Sequence, residues 1–280
     1  MVKKIAAFIL FSSLFIAACA VALCIQTNLQ MHLPLNNFSF YCFVFGATLV
    51  QYNLHYMTKT IAARDSARLR WSLKNRNLHI LLLSTGVALI VFSLFSFHLR
   101  HYIILAAMGL IAFVYSFPAL PLGKRKRIKD YGLIKIITLA LLWTLVTVWF
   151  PIVNLSFDRK LFLFIFFNRF FFMFVLCLLF DIRDMEVDRE QNIHTIPVIA
   201  GKSNSYYIAY FTLFLMVVLS AVKFYVFGGT GVLVAMVLSA IITFIVILAT
   251  KKNNSDFIYL AGIDGMMLLQ FLLIYLAINF

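Results

Sequence analysis

The second half of the chain contains an unusual concentration of acidic residues. Five of its ten carboxylates fall within ten residues: Asp181, Asp184, Glu186, Asp188 and Glu190. If this segment is helical, the three aspartates lie at i, i+3 and i+7 and share one face, whereas the two glutamates point elsewhere. Like charges on one face repel, and the C-terminal end of a helix is electrostatically unfavourable for acids. We therefore expect a cation at this face.

Magnesium is the cation that best suits a face of this kind. Mg²⁺ prefers oxygen ligands and usually binds one or two carboxylates together with substrate phosphates. Segments rich in Lys and Arg are suited to the phosphate oxygens, and several such segments occur in the chain. The alternative is that the aspartates only form ion pairs with the neighbouring basic loops.

The composition indicates where this acidic face must lie. Of the 280 residues, 64% are hydrophobic and only 12% are charged, about half the charged share of a soluble domain. A soluble enzyme, a disordered chain and a fibrous protein are therefore excluded. The formal net charge of +14 is not gathered into a separate basic domain, so we expect no nucleic-acid partner. The sequence predicts a polytopic helical membrane protein.

Nine apolar segments are long enough to cross a bilayer, which takes about 20 mostly apolar residues. The N-terminal segment resembles a signal peptide, but because eight more spans follow it we predict a retained helix. The expected fold is all-α, a single transmembrane domain over residues 1–280. The predicted spans are residues 5–25, 38–58, 78–97, 102–118, 132–153, 160–180, 205–227, 229–249 and 257–278.

The basic residues between these spans predict the orientation of the chain. Eighteen Lys and Arg residues fall on one side of the nine spans and four on the other, and the two sides alternate consistently. Because short cytoplasmic loops are enriched in Lys and Arg, we predict a cytoplasmic N-terminus and a C-terminus on the opposite side, in an inner or plasma membrane. The acidic cluster then lies at the cytoplasmic end of the sixth span.

The acidic segment resembles a motif of a known family. Asp181-x-x-Asp184-x-x-x-Asp188, followed by residues 195–198 with the sequence Thr-Ile-Pro-Val and by Gly201, is similar to the second aspartate-rich motif of the UbiA superfamily of intramembrane prenyltransferases. The Tyr-Ser-Phe-Pro sequence at 115–118, with the basic run at 124–129, resembles the segment after helix four of that family, which also has nine helices.

The resemblance implies a prenyltransferase that moves an isoprenyl group from a prenyl diphosphate to an acceptor, often an aromatic ring, with Mg²⁺ as cofactor. The metal ligands implied are Asp181, Asp184 and Asp188, and the catalytic residues implied are Asp184, Asp188 and Tyr115. The substrate-binding residues expected are Asn53, His55, Lys59, Lys124, Arg125, Arg127 and Arg183. The partners expected are these two small molecules and the lipid bilayer.

The first aspartate-rich motif of the family is degenerate in this chain. Asn53 matches its asparagine, but Leu54, Met57 and Ile61 stand where aspartates are expected. One interpretation is that Asn53, His55 and Lys59 hold the diphosphate directly, with a single metal at the second motif. The other is that prenyl transfer is lost and the protein binds a lipid or a membrane partner instead.

Two further charges are predicted within the spans. Arg169 lies in the middle of the sixth span, and because a lone arginine is costly at that depth we expect it to pair with Asp264. It could instead line the polar end of a cavity, or belong with Asp264 to the pathway of a transporter for an anionic, lipid-like solute. Lys135, near the start of the fifth span, is expected to reach the membrane interface.

Overall fold

The computed structural model describes residues 2–58, 67–116, 132–253 and 255–280, and the side chains of residues 2–4, 56, 58 and 112–116 lie outside that description. The described part is helical and contains no strand. Its helices are α1 (Val2–Phe11), α2 (Leu14–Gln30), α3 (Phe38–Thr58), α4 (Ala67–Lys74), α5 (Arg76–Leu94), α6 (Leu99–Ser116), α7 (Gly132–Thr144), α8 (Arg159–Glu190), α9 (Ile196–Phe227), α10 (Thr230–Lys252) and α11 (Gly265–Asn279).

The helices occupy all nine predicted spans. Six described helical segments are long and apolar enough to cross a bilayer, and the bent pair of α1 and α2 makes a possible seventh. The other two predicted spans are taken by α3 and α6. α7 continues as a π-helical turn over Leu145–Trp149 and a 3-10 turn over Phe150–Ile152, and a π-helical segment over Ile258–Ile263 leads into α11.

The first predicted span is broken where a continuous helix was expected. α1 and α2 meet at an angle of 63°. Ser13 between them has a positive φ of 69°, a left-handed conformation that interrupts the helical hydrogen-bond ladder. The Ser12 carbonyl oxygen and the Ser13 hydroxyl are thereby available to partners from other helices.

α8 packs against α7 and α9 and is longer than a membrane is thick. Its 32 residues extend about 48 Å at 1.5 Å per residue, against about 30 Å of bilayer hydrocarbon. Phe172, Leu176 and Leu179 are buried in the main core cluster, where they join Met216 of α9 and Ile247 of α10. This core fixes the position of α8. The last turns of α8 lie at the end of the bundle that holds Asp181, Asp188 and Lys135, which we call the site end.

α3 and α5 pack through two glycines. A Cβ on Gly46 would lie 2.7 Å from the carbonyl oxygen of Gly86, and the reverse substitution would give the same distance. Only glycine permits so close an approach of two backbones, a common arrangement between transmembrane helices. This contact holds α3, and hence Asn53 near its end, against α5.

Candidate functional site

The three aspartates lie on the last turns of α8. The helix runs to Glu190, so the expectation of a continuous helix through the acidic cluster is confirmed. Asp181 and Asp188 are buried and Asp184 is half-buried, whereas Glu186 and Glu190 are exposed. The carboxylates therefore divide as predicted, with the aspartates facing the protein and the glutamates facing outward.

Lys135 of α7 bridges two of these aspartates. Its Nζ lies 2.9 Å from Oδ1 of Asp181 and 3.4 Å from Oδ2 of Asp188. α7 can approach this closely because it begins at Gly132, where a Cβ would collide with the backbone of His194 and Thr195. Its ammonium thus pairs with two buried carboxylates, partners that the sequence did not indicate; that Lys135 extends to the membrane interface stays a prediction.

Asp184 has a different partner, the arginine that precedes it. Nε of Arg183 donates to Oδ1 of Asp184 at 2.8 Å, and Nη2 donates to Oδ2 at 2.9 Å. The Arg183 guanidinium also lies 4.9 Å from the ring centre of Phe180 and 5.1 Å from that of Tyr259. Two aromatic rings and a bidentate carboxylate thus hold this cation in one orientation.

Asp256 links this arrangement to the first turn of α4. Its Oδ1 lies 4.0 Å from Nη1 of Arg183, and its Oδ2 accepts from the backbone N–H of Arg68 at 3.0 Å. Nη2 of Arg68 in turn donates to the hydroxyl of Ser13 at 3.0 Å. Arg68 is only 4% exposed, so this is an interior contact and not a surface pair.

Asn53, at the position of the first motif, contacts the break between α1 and α2 from another side, at Ser12. It is fully buried, and its Nδ2 donates to the carbonyl oxygen of Leu49 at 2.8 Å and to that of Ser12 at 3.4 Å. Its Oδ1 lies 2.5 Å from Nδ1 of His79. A continuous series of contacts therefore leads from Asn53 through Ser12, Ser13, Arg68, Asp256 and Arg183 to Asp184.

The other predicted site residues divide into two groups. His55 is exposed on α3, two residues beyond the buried Asn53. Tyr115 lies on α6, but its side chain is outside the description. The remaining predicted residues lie outside the described residues altogether: Lys59, Lys124, Arg125 and Arg127.

The second motif suits a divalent cation in its ligand chemistry. Oδ2 of Asp181 is buried and has no hydrogen-bond partner, so one carboxylate oxygen is available to a cation. The other aspartate oxygens with described partners face Lys135 or Arg183. No group of three or more His, Cys, Asp or Glu side chains within the described ranges is arranged to hold a metal. The donor type therefore suits Mg²⁺, but the three aspartates are engaged by Lys135 and Arg183 and are not gathered around one ion.

The expected pair of Arg169 and Asp264 does not form. Arg169 is 2% exposed and its Nη1 and Nη2 have no hydrogen-bond partner, whereas Asp264 lies within electrostatic range of Arg68 and Arg183. The two residues were paired because each is a rare charge within a span. Asp264 instead follows a π-helical segment that brings it to the arginines of the site end.

Sequence reasoning also missed the roles of Arg68, which lies among the basic residues between the spans, and of Asp256. Beyond the motif, the site end holds two carboxylates, Asp256 and Asp264, and two cations, Arg68 and Lys135. Its opposite charges therefore largely offset each other within the protein. One feature of the sequence could have indicated that Lys135 and Asp256 belong to the site. Each lies at the end of a predicted span, on the side of the membrane predicted for the aspartates.

Comparison with known proteins gives a consistent result. The model of the UbiA prenyltransferase family matches residues 62–261. The fold is similar to that of a UbiA homologue from Archaeoglobus fulgidus bound to GPP and Mg²⁺, with a TM-score of 0.67, 14% identity, and coverage of 98% of this chain and 100% of that one. A UbiA homologue from the same organism bound to DMAPP and Mg²⁺ gives a TM-score of 0.60 at 13% identity, covering 96% and 99%.

A digeranylgeranylglyceryl phosphate synthase structure is similar as well. Its TM-score is 0.57 at 16% identity, and the match covers 99% of this chain and 98% of that one. No curated protein sequence matches the chain. At these identities the structural matches show a common fold.

Proposed function

The chain belongs to the UbiA prenyltransferase family, and from that premise we propose that it transfers an isoprenyl group from a prenyl diphosphate to an acceptor within the membrane. The observation that carries this proposal is the aspartate face of α8. Asp181 and Asp188 are buried around one ammonium, and Asp181 retains a free carboxylate oxygen. Such a site has the charge and the donors to hold a cation against a diphosphate.

The metal of this proposal is Mg²⁺, held by Asp181, Asp184 and Asp188. When bound, it neutralises charge on the departing diphosphate. Lys135 keeps Asp181 and Asp188 together by offsetting their repulsion, and Arg183 fixes Asp184. Two solved structures of the same fold hold Mg²⁺ with a prenyl diphosphate, which supports the same combination of metal and substrate here.

The diphosphate would be clamped by basic and polar side chains of this chain. We assign this role to Lys124, Arg125 and Arg127, with Arg183 beside Asp184, and place Asn53, His55, Lys59 and Tyr115 at the border of the site. As the bond between the allylic carbon and the diphosphate oxygen breaks, the leaving group gains charge that these cations stabilise. The apolar helices around the site would exclude water from the carbocation until the acceptor attacks it.

The absence of the first-motif aspartates favours a single metal. The site contains instead the buried Arg68, which reaches Ser13 beside the position of Asn53. This guanidinium would supply positive charge to the diphosphate from that side of the site. With the predicted orientation, the site end opens to the cytoplasm, from which a soluble prenyl diphosphate would enter.

A second candidate is a homologue that binds a lipid or membrane partner without prenyl transfer. The observation in its favour is that Asn53, the matching residue of the first motif, is fully buried and bonded to protein groups. Such a homologue would release no diphosphate, so release of diphosphate separates the two candidates.

Diphosphate release tests the proposal. Purified protein in nanodiscs would be incubated with prenyl diphosphates of increasing chain length, with acceptor candidates, and with or without Mg²⁺. We expect Mg²⁺-dependent release that is lost in Asp184→Asn and Asp188→Asn. Glu186→Gln is the matched control, because this acid is exposed on the same turns and pairs only at the surface with Arg189 at 3.1 Å. Absence of release with every pair of substrates would favour the second candidate.

A further inference from the structure

A second polar site lies at the opposite end of the bundle. A cleft opens between the first turns of α8, the last turns of α9 and the start of α10. Asn168 of α8 lines it, 13 residues before Asp181 and therefore roughly 20 Å away along the helix. The cleft is separate from the aspartate face, so a ligand bound in it is independent of the proposed prenyl transfer.

The cleft contains a cation that forms no ion pair with an acid among the described residues. Lys223 of α9 lines it and is half-buried. Within the described residues, Lys223 takes part in no ion pair. A lysine that is partly withdrawn from water without a carboxylate partner favours an anion from outside the protein.

Asn168 adds a second unsatisfied group to the cleft. It is 7% exposed, and its Nδ2 donates to Oγ of Ser220 at 2.7 Å and to the carbonyl oxygen of Met216 at 3.3 Å. Its Oδ1 is buried and accepts no hydrogen bond. The serine hydroxyl cannot satisfy it, because that hydroxyl donates to the carbonyl oxygen of Met216 at 2.8 Å. The cleft is thus lined by an amide whose oxygen has no partner and by a lysine that forms no ion pair with the described residues.

The start of α10 contributes further positive potential. Gly228 and Gly229, with φ values of 74° and 90°, form the tight link from α9 and also line the cleft. α10 has no side-chain cap at this end, and its N-cap residue Gly229 lines the cleft, so the positive end of a 23-residue helix borders the opening. Phe164 and Val232 supply apolar walls beside these polar groups.

We propose that this cleft binds the headgroup of an anionic phospholipid from the leaflet at that end of the bundle. The phosphodiester oxygens meet Lys223 and the N-terminus of α10. A hydroxyl or amine of the headgroup donates to Oδ1 of Asn168. The apolar walls continue onto lipid-facing helix surfaces, such as the exposed Phe227, where acyl chains can lie. A cation, a free acceptor and an apolar exit match a phospholipid better than they match a free phosphate ion.

Thermal stabilisation by defined lipids tests this assignment. The full chain in a neutral detergent would be titrated with short-chain phosphatidylglycerol, phosphatidylcholine or inorganic phosphate while the unfolding midpoint is recorded. We expect stabilisation by phosphatidylglycerol only. Lys223→Gln should raise its half-saturating concentration about tenfold, the usual effect of losing one charge-assisted hydrogen bond, and Lys223→Arg should largely retain the effect.

Lys160→Gln is the control, because it removes an exposed cation from the same end of α8. It should leave the titration unchanged. If phosphatidylglycerol stabilises Lys223→Gln and the unmodified chain equally, the proposal that this cleft binds the lipid is overturned. Stabilisation by phosphatidylcholine, or by inorganic phosphate in place of the lipid, would overturn the assignment of an anionic phospholipid.

Discussion

The Nζ of Lys135 lies 2.9 Å from Oδ1 of Asp181, and this ion pair joins the start of α7 to the end of α8. The same ammonium reaches Asp188, so one lysine offsets two buried carboxylates. The protein's own side chains therefore hold these two aspartates in position. Their repulsion, which the sequence makes evident, is balanced from a neighbouring helix.

Removal of this lysine charge should destabilise the protein. Lys135→Met leaves Asp181 and Asp188 buried without their cation, which typically costs about 3 kcal/mol. In a fixed detergent, the unfolding midpoint should fall clearly in Lys135→Met and by less in Lys135→Arg. Lys160→Met, at an exposed lysine, serves as the control and should behave like the unmodified chain. An unchanged midpoint in Lys135→Met would show that the bridge contributes nothing to stability.

Magnesium should compensate for the loss of Lys135. Without the ammonium, both carboxylates are available to a divalent cation. Millimolar Mg²⁺ should therefore raise the unfolding midpoint of Lys135→Met more than that of the unmodified chain. The double variant Lys135→Met with Asp181→Asn should lose most of this response. An equal Mg²⁺ response in all three proteins would place the metal away from these aspartates.

Asn53 should act on stability through its contacts with Ser12 and His79. Asn53→Leu removes the donor to the Ser12 carbonyl oxygen and the partner of the His79 ring. Because these buried groups are left unpaired, the free energy of unfolding should fall by about 2 kcal/mol. We expect a lower unfolding midpoint, with a smaller change for the exposed neighbour His55→Ala. If Asn53→Leu is fully stable but binds prenyl diphosphate less tightly, the amide contacts substrate and its present partners are secondary.

The glycine contact between α3 and α5 should be sensitive to a single methyl group. Gly46→Ala places a Cβ 2.7 Å from the carbonyl oxygen of Gly86, so the helices must separate. Overpacking of this kind costs about 1–3 kcal/mol. Gly109→Ala is the matched control, since a Cβ there meets nothing within 4 Å. Comparison of the two unfolding midpoints checks the prediction, and equal values would contradict it.

The helices could be predicted because hydropathy reports them directly. Phe38–Thr58 coincides with the predicted span 38–58, and the end of α8 at Glu190 follows from the helical spacing of the aspartates. The break at Ser13 could not be predicted, since serine is common within membrane helices and its left-handed conformation depends on partners from α3 and α4.

The partners of the site residues were less predictable than the residues themselves. The aspartate spacing identified Asp181, Asp184 and Asp188, but nothing along the chain indicates that Lys135 is the cation that bridges two of them. Pairing Arg169 with Asp264 failed for the same reason. Hydropathy indicates the depth of a residue in the membrane only coarsely. It gives no information on which helix faces the residue, because that depends on packing between distant segments.

Direct detection of prenyl transfer tests the central claim. Membranes containing the protein would receive isotopically labelled prenyl diphosphates of several chain lengths, and the lipid extract would be analysed for labelled products. We predict a labelled lipid-soluble product with the unmodified chain and with Glu186→Gln, and none with Asp188→Asn. Folded protein that yields no product above that of empty membranes, for any chain length, would contradict the assignment as a prenyltransferase.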